Sequence, residues 1–364
     1  MRKTVKEFSL FRPAGYGTRL PSGKVQCDLC PHRCVLAERE VGRCLVRANR
    51  AGALVTRAYG QIVTPPAKDQ VEAKPFYHFV PGALVTTVGG LGCTMACPYC
   101  YNWPLIHYHP RSSFLPIETL RDTALSHGSR AVVFAYNEPF VGAEFLLDAS
   151  PVLHKAGLFV AATTNGFVNR QAREDLLGAL DAVLVDIKDT RNEFYYHVLQ
   201  GDLEAVWSTV AEAHKRIHVE AKWVVLPTGP PVDTAGKIAE RLARIDPHIP
   251  LHIGRYYPHY QWTAPPTELT VLRACWEEAR RRVHYVYAPE LGDPAAQNTT
   301  CPICGEVAIS RQGKRVRMVG LRDDHKCRTC GLTIPMQAEP RVSLPNAVRE
   351  EEHERVPGDE PELP

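Results

Sequence analysis

Between residues 83 and 288, short apolar runs alternate with longer stretches whose apolar positions recur every three or four residues. The runs are ALVTTV (83–88), RAVVFAY (130–136), LFVAATT (158–164), DAVLVDI (181–187), HVEAKWVVL (218–226) and PLHIGR (250–255), with YVYA (285–288) as a short seventh. They are rich in Val, Ala and Leu and lack a clean alternation, which predicts strands buried on both faces. Between them lie the helical patterns IETLRDTALSHG, GAEFLLDASPVLHKAG, NRQAREDLLGAL, DLEAVWSTVAEAHKR, DTAGKIAERLARI and PTELTVLRACWEEARRR. Pro151 is predicted to kink or split the second of these. Repeated strand–helix units give a parallel sheet, and six units fit a partial (β/α)6 TIM-like barrel. In such folds the working site lies at the C-terminal ends of the strands.

The flanks are organised differently. Residues 1–82 form an N-terminal segment, 83–294 the partial barrel, 295–336 a C-terminal module, and 337–364, rich in Pro and Glu, a disordered tail. The chain has 364 residues, of which 45% are hydrophobic and 23% charged, as in an ordinary globular protein. No apolar run approaches the roughly 20 residues of a membrane span. The opening MRKTVKEFSLFRPAGYG lacks the apolar core of a secretory signal. A net charge of +3 does not by itself argue for nucleic acid.

Cysteine usage changes this picture. Eleven of the twelve cysteines fall in three clusters: Cys27, Cys30, Cys34 and Cys44; then Cys93, Cys97 and Cys100; then Cys301, Cys304, Cys327 and Cys330. Disulfide frameworks belong to short secreted chains, whereas tight CxxC spacings bring two sulfurs onto one metal. Three metal sites in a reducing cytoplasm are expected, with Cys275 a plain buried thiol. The central Cys93-x3-Cys97-x2-Cys100 follows the first strand, at the expected mouth of the sheet. Three thiolates are one too few to close a four-iron cluster and leave one iron for an outside ligand. A zinc knuckle completed by a distant residue is the alternative.

Further polar motifs close the later strands. AYNEP (135–139) ends the second, with Asn137 and Glu138. TTNGF (163–167) ends the third, with Thr164 and Asn165, and its hydroxyls and amide suit ribose or carboxylate oxygens. DIK (186–188) ends the fourth; Asp186 and Lys188 share a face because the strand period is two. RYYPHY (255–260) brings His259 and tyrosines to the sixth. Each could equally be a helix cap or a turn residue, but four fall at strand ends of one sheet.

CxxxCxxC with Tyr99 before its third cysteine resembles the signature of radical S-adenosylmethionine (SAM) enzymes. That resemblance implies a [4Fe–4S] cluster whose open iron binds SAM, reductive cleavage to a 5′-deoxyadenosyl radical, and hydrogen abstraction from a substrate. It makes Asn137, Glu138, Thr164, Asn165, Asp186 and Lys188 the candidate SAM contacts, Glu138 through a carboxylate–ammonium pair. CDLCPHRCVLAEREVGRCLVR (27–47), VEAKPFYHFVPG (71–82), YNEP, TNGF, VDIKD, HIGRYYPHY and NTTCPICG…CRTCG, in that order with the cysteine core, further resemble the AmmeMemoRadiSam group, related to activases of glycyl-radical enzymes. The match spans roughly residues 24–336. It implies a Memo-like or AMMECR-like protein partner and an electron donor of flavodoxin or ferredoxin type. Tyr101-Asn102 and LPTGPPVD depart from the group's pattern and bear on substrate contacts.

The flanking clusters each offer four thiolates. Cys27, Cys30, Cys34 and Cys44, with His32 as a spare ligand, make either a structural zinc site or a second iron–sulfur cluster. Phe76-Tyr77-His78-Phe79 is expected over the barrel entrance, His78 as a structural hydrogen-bonder or a substrate contact. CPIC (301–304) and CRTC (327–330) form a zinc-ribbon pattern. The basic stretch SRQGKRVRMVGLRDDHK between them is either a solvated face or a nucleic-acid contact. Four function classes follow: a radical SAM enzyme of unidentified substrate, a glycyl-radical activase, a nucleic-acid-modifying enzyme, and a zinc scaffold for a Memo-like partner.

Overall fold

The computed structural model describes residues 11–107 and 111–338. Seven parallel strands run in sequence order across one sheet: β1 (Leu84–Gly90), β2 (Ala131–Phe134), β3 (Phe159–Thr164), β4 (Ala182–Ile187), β5 (His218–Val225), β6 (Leu251–Arg255) and β7 (Val286–Tyr287). Each coincides with an apolar run of the sequence. The six amphipathic patterns form α1 (Ile117–Ser126), α2 (Ala143–Lys155), α3 (Arg170–Ala179), α4 (Leu203–His214), α5 (Pro231–Ile245) and α6 (Leu269–Arg280). Helix α2 runs through Pro151 unsplit. Its Ser150 hydroxyl donates to Leu146 O at 2.8 Å.

The sheet is open, so the expected partial barrel is not closed by strand pairing. Its edges are β7 and the two-residue strand Ser113–Phe114. Between β1 and that edge lies a ten-residue antiparallel strand, Gln61–Gln70, which the sequence reading assigned to the N-terminal segment. Pro65 and Pro66 fall at irregularities of its pairing with β1, where a ladder donor is not needed. The N-terminal segment thus divides near residue 60. Before that point, two small antiparallel sheets carry the first cysteine set.

Register aligns one face of the sheet. Val85, Ala131, Val133, Phe159, Ala161, Ala182 and Leu184 pack with Phe76 and Phe79 into one cluster, while the other face packs on the helices. These residues lie toward the N-terminal ends of their strands. Phe76–Phe79 therefore close the floor of the sheet, not its entrance. The reason is Glu220 on β5, wholly buried, which accepts the backbone N–H groups of Tyr77, His78 and Phe79 at 2.8–3.1 Å. His252 and His218 also bond to it, at 2.6 and 3.0 Å. Tight anchoring to a buried carboxylate at the strand starts leaves this segment no reach to the mouth.

The C-terminal four-cysteine module docks on the same floor. Its sheet is Thr299–Thr300, Val307–Gln312 and Arg315–Met318. Arg311 from this sheet is buried over the Tyr77 ring at 4.1 Å and donates to Tyr77 O at 2.7 Å. Gln337, placed in the tail by its composition, bonds through its backbone to His78 and Val80. The tail from 339 onward lies outside the described residues.

Candidate functional site

Cys93, Cys97 and Cys100 sit on the loop that leaves β1. Four elements fix that loop. Asn137 accepts from Gly90 N at 2.9 Å and donates to the carbonyls of Leu91 and Gly92. Asn165 donates to Thr94 Oγ1 at 3.0 Å and reaches Cys93 Sγ at 3.7 Å. The π-helical turn Phe194–Leu199 receives Ala96 N on Leu199 O at 2.9 Å. From the loop after β6, Gln261 N donates to Pro98 O at 2.8 Å, and His259 and Tyr260 pack on Tyr101 and Trp103.

Glu138 lies beneath this loop, fully buried. Its carboxylate accepts from Thr164 Oγ1 and Asn165 N, each at 2.7 Å, and from Phe140 N at 3.1 Å. Burial pushes its pKa up to about 7, with those three donors and Lys188 pulling the other way. Asn137, Glu138, Thr164 and Asn165 are thereby tied to one another and to the cluster loop. Tyr136, just before them, holds a left-handed backbone (φ 73°) while Lys74 donates to its hydroxyl at 2.9 Å.

The open polar groups lie one residue over. Alternation places Thr87, Thr163, Asp186 and Lys222 on the sheet face that points into the mouth, whereas Thr164 points to the helix side. The buried Thr87 Oγ1, Thr163 Oγ1, Asp186 Oδ1 and Tyr99 Oη have no partner among the described residues. A buried polar atom without a partner costs about 1–3 kcal/mol, so this set calls for a polar ligand. Lys188 Nζ pairs with Asp186 Oδ2 at 2.6 Å. Burial alone would lower its pKa, but Asp186 and Cys97 outweigh that and hold it charged. That ammonium partly offsets the burial that pushes the Cys97 thiol up to about 11.

Of the residues singled out from the sequence, Cys93, Cys97, Cys100, Asp186 and Lys188 come together here, with the TTNGF hydroxyls divided between the two faces; Thr87 and Lys222, on the same face, were not singled out. Counting two residues along β1 from Val85 would have found Thr87, and counting two along β3 from Ala161 selects Thr163.

The three thiols, the buried ammonium and the unpaired hydroxyls fit a cluster that leaves one coordination site for a polar molecule. The cysteine geometries also differ. Among the described residues, Cys301, Cys304, Cys327 and Cys330 are the single group of three or more His, Cys, Asp or Glu whose ligand atoms all lie within 4.8 Å of one another. Their sulfurs pair at 3.5 Å (Cys301–Cys330 and Cys304–Cys327), close to the roughly 3.8 Å of a tetrahedral ion with 2.3 Å bonds. Cys275 is buried and reaches none of these sites, and burial pushes its thiol up to about 12.

Among the described residues no helix is long and apolar enough to cross a membrane. Residues 87–245 match the family described as the Radical SAM superfamily. An uncharacterized protein of Methanocaldococcus jannaschii, MJ0808, is 30% identical over 335 residues, covering 89% of this chain and 98% of its own. Among solved structures, Streptococcus suis SuiB bound to S-adenosylmethionine is 12% identical over 52% of this chain and 44% of its own, TM-score 0.42. This chain thus spans less than half of SuiB. A radical SAM methyltransferase from Sphaerobacter thermophilus is 14% identical over 63% and 71% of the two chains, TM-score 0.43. With CxxxCxxC on the loop after β1 and a matching family over residues 87–245, the chain belongs to the radical SAM superfamily and is a radical SAM enzyme.

Proposed function

We propose that this enzyme cleaves SAM reductively at a cluster held by Cys93, Cys97 and Cys100 and takes a hydrogen atom from a substrate at the mouth of the sheet. The observation that carries the reading is the set of unpartnered buried groups Thr87, Thr163 and Asp186 on the sheet face that leads to the three thiols. When bound there, a [4Fe–4S] cluster supplies the electron that splits SAM into methionine and the 5′-deoxyadenosyl radical. The chain's own residues bind and orient. Thr87, Thr163 and the free oxygen of Asp186 offer hydrogen bonds to the nucleoside and the amino-acid end of SAM. Glu138 and Asn137 hold the cysteine loop; with three donors on its carboxylate, Glu138 keeps the capacity for one further donor, such as the SAM ammonium. Lys188 supplies a fixed positive charge beside Cys97 and Cys100. Tyr99 packs on Trp262 and covers the loop against water.

The motif order supports the AmmeMemoRadiSam group, with a Memo-like or AMMECR-like partner, and the metal-type CxxC spacings support a reducing cytoplasm. The sulfur spacing of the C-terminal quartet supports zinc there. At the N-terminal quartet, zinc and iron–sulfur remain the two readings. The nucleic-acid reading is the weaker one, because Arg315 and Arg317 sit on a module docked at the floor, away from the mouth. The test is anaerobic reconstitution with iron and sulfide, then SAM and dithionite, assayed for 5′-deoxyadenosine. Product from wild type and none from the Cys93→Ala, Cys97→Ala, Cys100→Ala variant supports the reading. No product from iron-loaded wild type refutes it.

A further inference from the structure

The N-terminal cysteine module is built against the loop of Cys93. Gly92 is left-handed (φ 83°), and a Cβ on it would stand 2.6 Å from the carbonyl oxygen of Cys44. His32 places Nε2 2.7 Å from the carbonyl oxygen of Thr94. On the far side, Asn169 bonds to the carbonyls of Asp28 and Leu29 at 2.7 and 3.0 Å. Cys27, Cys30, Cys34 and Cys44 line one small cavity with His32, and Thr94, next to Cys93, lines it too.

The spacing of these four sulfurs argues against a single ion. Two ligands at about 2.3 Å from one zinc lie at most about 4.6 Å apart. The C-terminal quartet meets that limit closely, whereas no three of the N-terminal sulfurs come within 4.8 Å of one another. A core of several metal ions spreads its ligands farther. Arg47 also lines the cavity, buried; its Nη2 pairs with Glu144 at 2.8 Å, and its Nε is unpartnered among the described residues. A fixed cation there suits an anionic thiolate-bound core.

Cys34 has a second exposure. It lies on a wide surface groove together with the exposed Arg33 and Arg43, Tyr196 and Gln200. Arg43 is held there by Gln200 at 2.8 Å. The groove also holds Asp202, whose carboxylate caps Ala205 N at 2.7 Å, so its two exposed arginines leave it net positive. The module therefore touches this groove on one side and the Cys93 loop on the other.

We infer that Cys27, Cys30, Cys34 and Cys44 hold an iron–sulfur cluster that carries single electrons from a small acidic carrier protein, docked in the Arg33–Arg43 groove, to the site of Cys93. The inference rests on the proposed function for the purpose of that electron. In each transfer the carrier is oxidised by one electron; the N-terminal cluster is reduced by one and then reoxidised as it passes the electron inward. No atom or proton moves.

The test uses the full chain, reconstituted anaerobically. Iron, acid-labile sulfide and zinc are counted, and paramagnetic resonance is recorded after reduction. Wild type is expected to bind about eight irons as two four-iron clusters with distinct signals. Cys30→Ser with Cys34→Ser is expected to lose about half the iron and one signal. A second variant, Arg33→Glu with Arg43→Glu, keeps every cysteine. Its reduction by flavodoxin is expected to slow at least tenfold, while its reduction by dithionite is unchanged. Zinc in the N-terminal quartet, or equal flavodoxin rates for the charge-reversed variant and wild type, overturns the inference. These outcomes are separable from the proposed function: two clusters without 5′-deoxyadenosine would refute SAM cleavage alone, and 5′-deoxyadenosine with N-terminal zinc would refute the relay alone.

Discussion

Glu138 Oε2 accepts the backbone N–H of Asn165 at 2.7 Å, so the ends of β2 and β3 are joined directly beneath Cys93. Two further donors, Thr164 Oγ1 and Phe140 N, converge on the other oxygen. Removing the carboxylate leaves these buried donors unpaired, at about 1–3 kcal/mol each. Glu138→Ala is expected to lower the melting temperature by several degrees and to reduce retention of iron at the Cys93 site. Glu138→Gln should fall between, because its NH2 group faces donors. Iron binding and melting temperature equal to wild type in the Ala variant would show that the brace is dispensable.

Thr163 and Thr164 are neighbours with opposite duties. Thr164 donates to Glu138, whereas Thr163 turns an unpartnered hydroxyl into the mouth. Thr163→Val and Thr87→Val should therefore leave the SAM-free protein as stable as wild type or slightly more so. Each should weaken SAM binding by about 1 kcal/mol, roughly fivefold. Thr164→Val should do the reverse, lowering stability first. Equilibrium SAM binding and thermal unfolding on the three variants separate the two roles, and identical profiles would contradict the face assignment.

The parallel strands were legible because each is a continuous apolar run set off by amphipathic helices. The cysteine loop was legible because its spacing, with Tyr99 before the third cysteine, resembles a known signature. Three features were not. Gln61–Gln70 carries Pro65, Pro66 and polar residues and reads as a loop, yet β1 offers it an edge to pair with. Phe76–Phe79 looks like a lid in sequence, and its place on the floor depends on Glu220, 142 residues from His78. Thr163 and Thr164 sit in one motif, and only strand register says which hydroxyl faces the mouth.

Acid stability should report on the floor. His78 is fully buried, with Nδ1–H donating to Pro335 O at 2.7 Å and Nε2 accepting from Tyr287 Oη at 2.6 Å. Burial pushes its pKa down to about 3. The unfolded chain, titrating near 6.5, takes up this proton first on acidification. Stability is thus full above about pH 6.5 and is lost as the pH falls toward about 3. Burial lowers the His252 pKa as well, adding to the same slope. Glu220, whose burial is outweighed by its bonds to His218 and His252, is held well below the usual carboxylate range and adds a further loss below about pH 4.5. Denaturant midpoints measured from about pH 7.5 to about pH 5 should fall in wild type. His78→Gln should be less stable at the upper end and show a flatter slope. An equal slope in both proteins would remove His78 as its source.

Arg311 makes the floor depend on the C-terminal quartet. Its guanidinium is buried over Tyr77 and lies 3.6 Å from Glu72, whose carboxyl burial pushes up and Arg311 pulls down. Losing a metal from that quartet should loosen the strand that carries Arg311 and draw its cation away from the buried Glu72, destabilising the floor. Chelation of that metal, or Cys304→Ser with Cys330→Ser, is therefore expected to lower the melting temperature by several degrees. Arg311→Met should reproduce much of that loss with the metal still bound. Because the module sits at the strand starts, dithionite-driven 5′-deoxyadenosine formation well below the melting temperature should change less than twofold. A large loss of that activity in a still-folded, metal-free protein would instead place the quartet in the reaction itself.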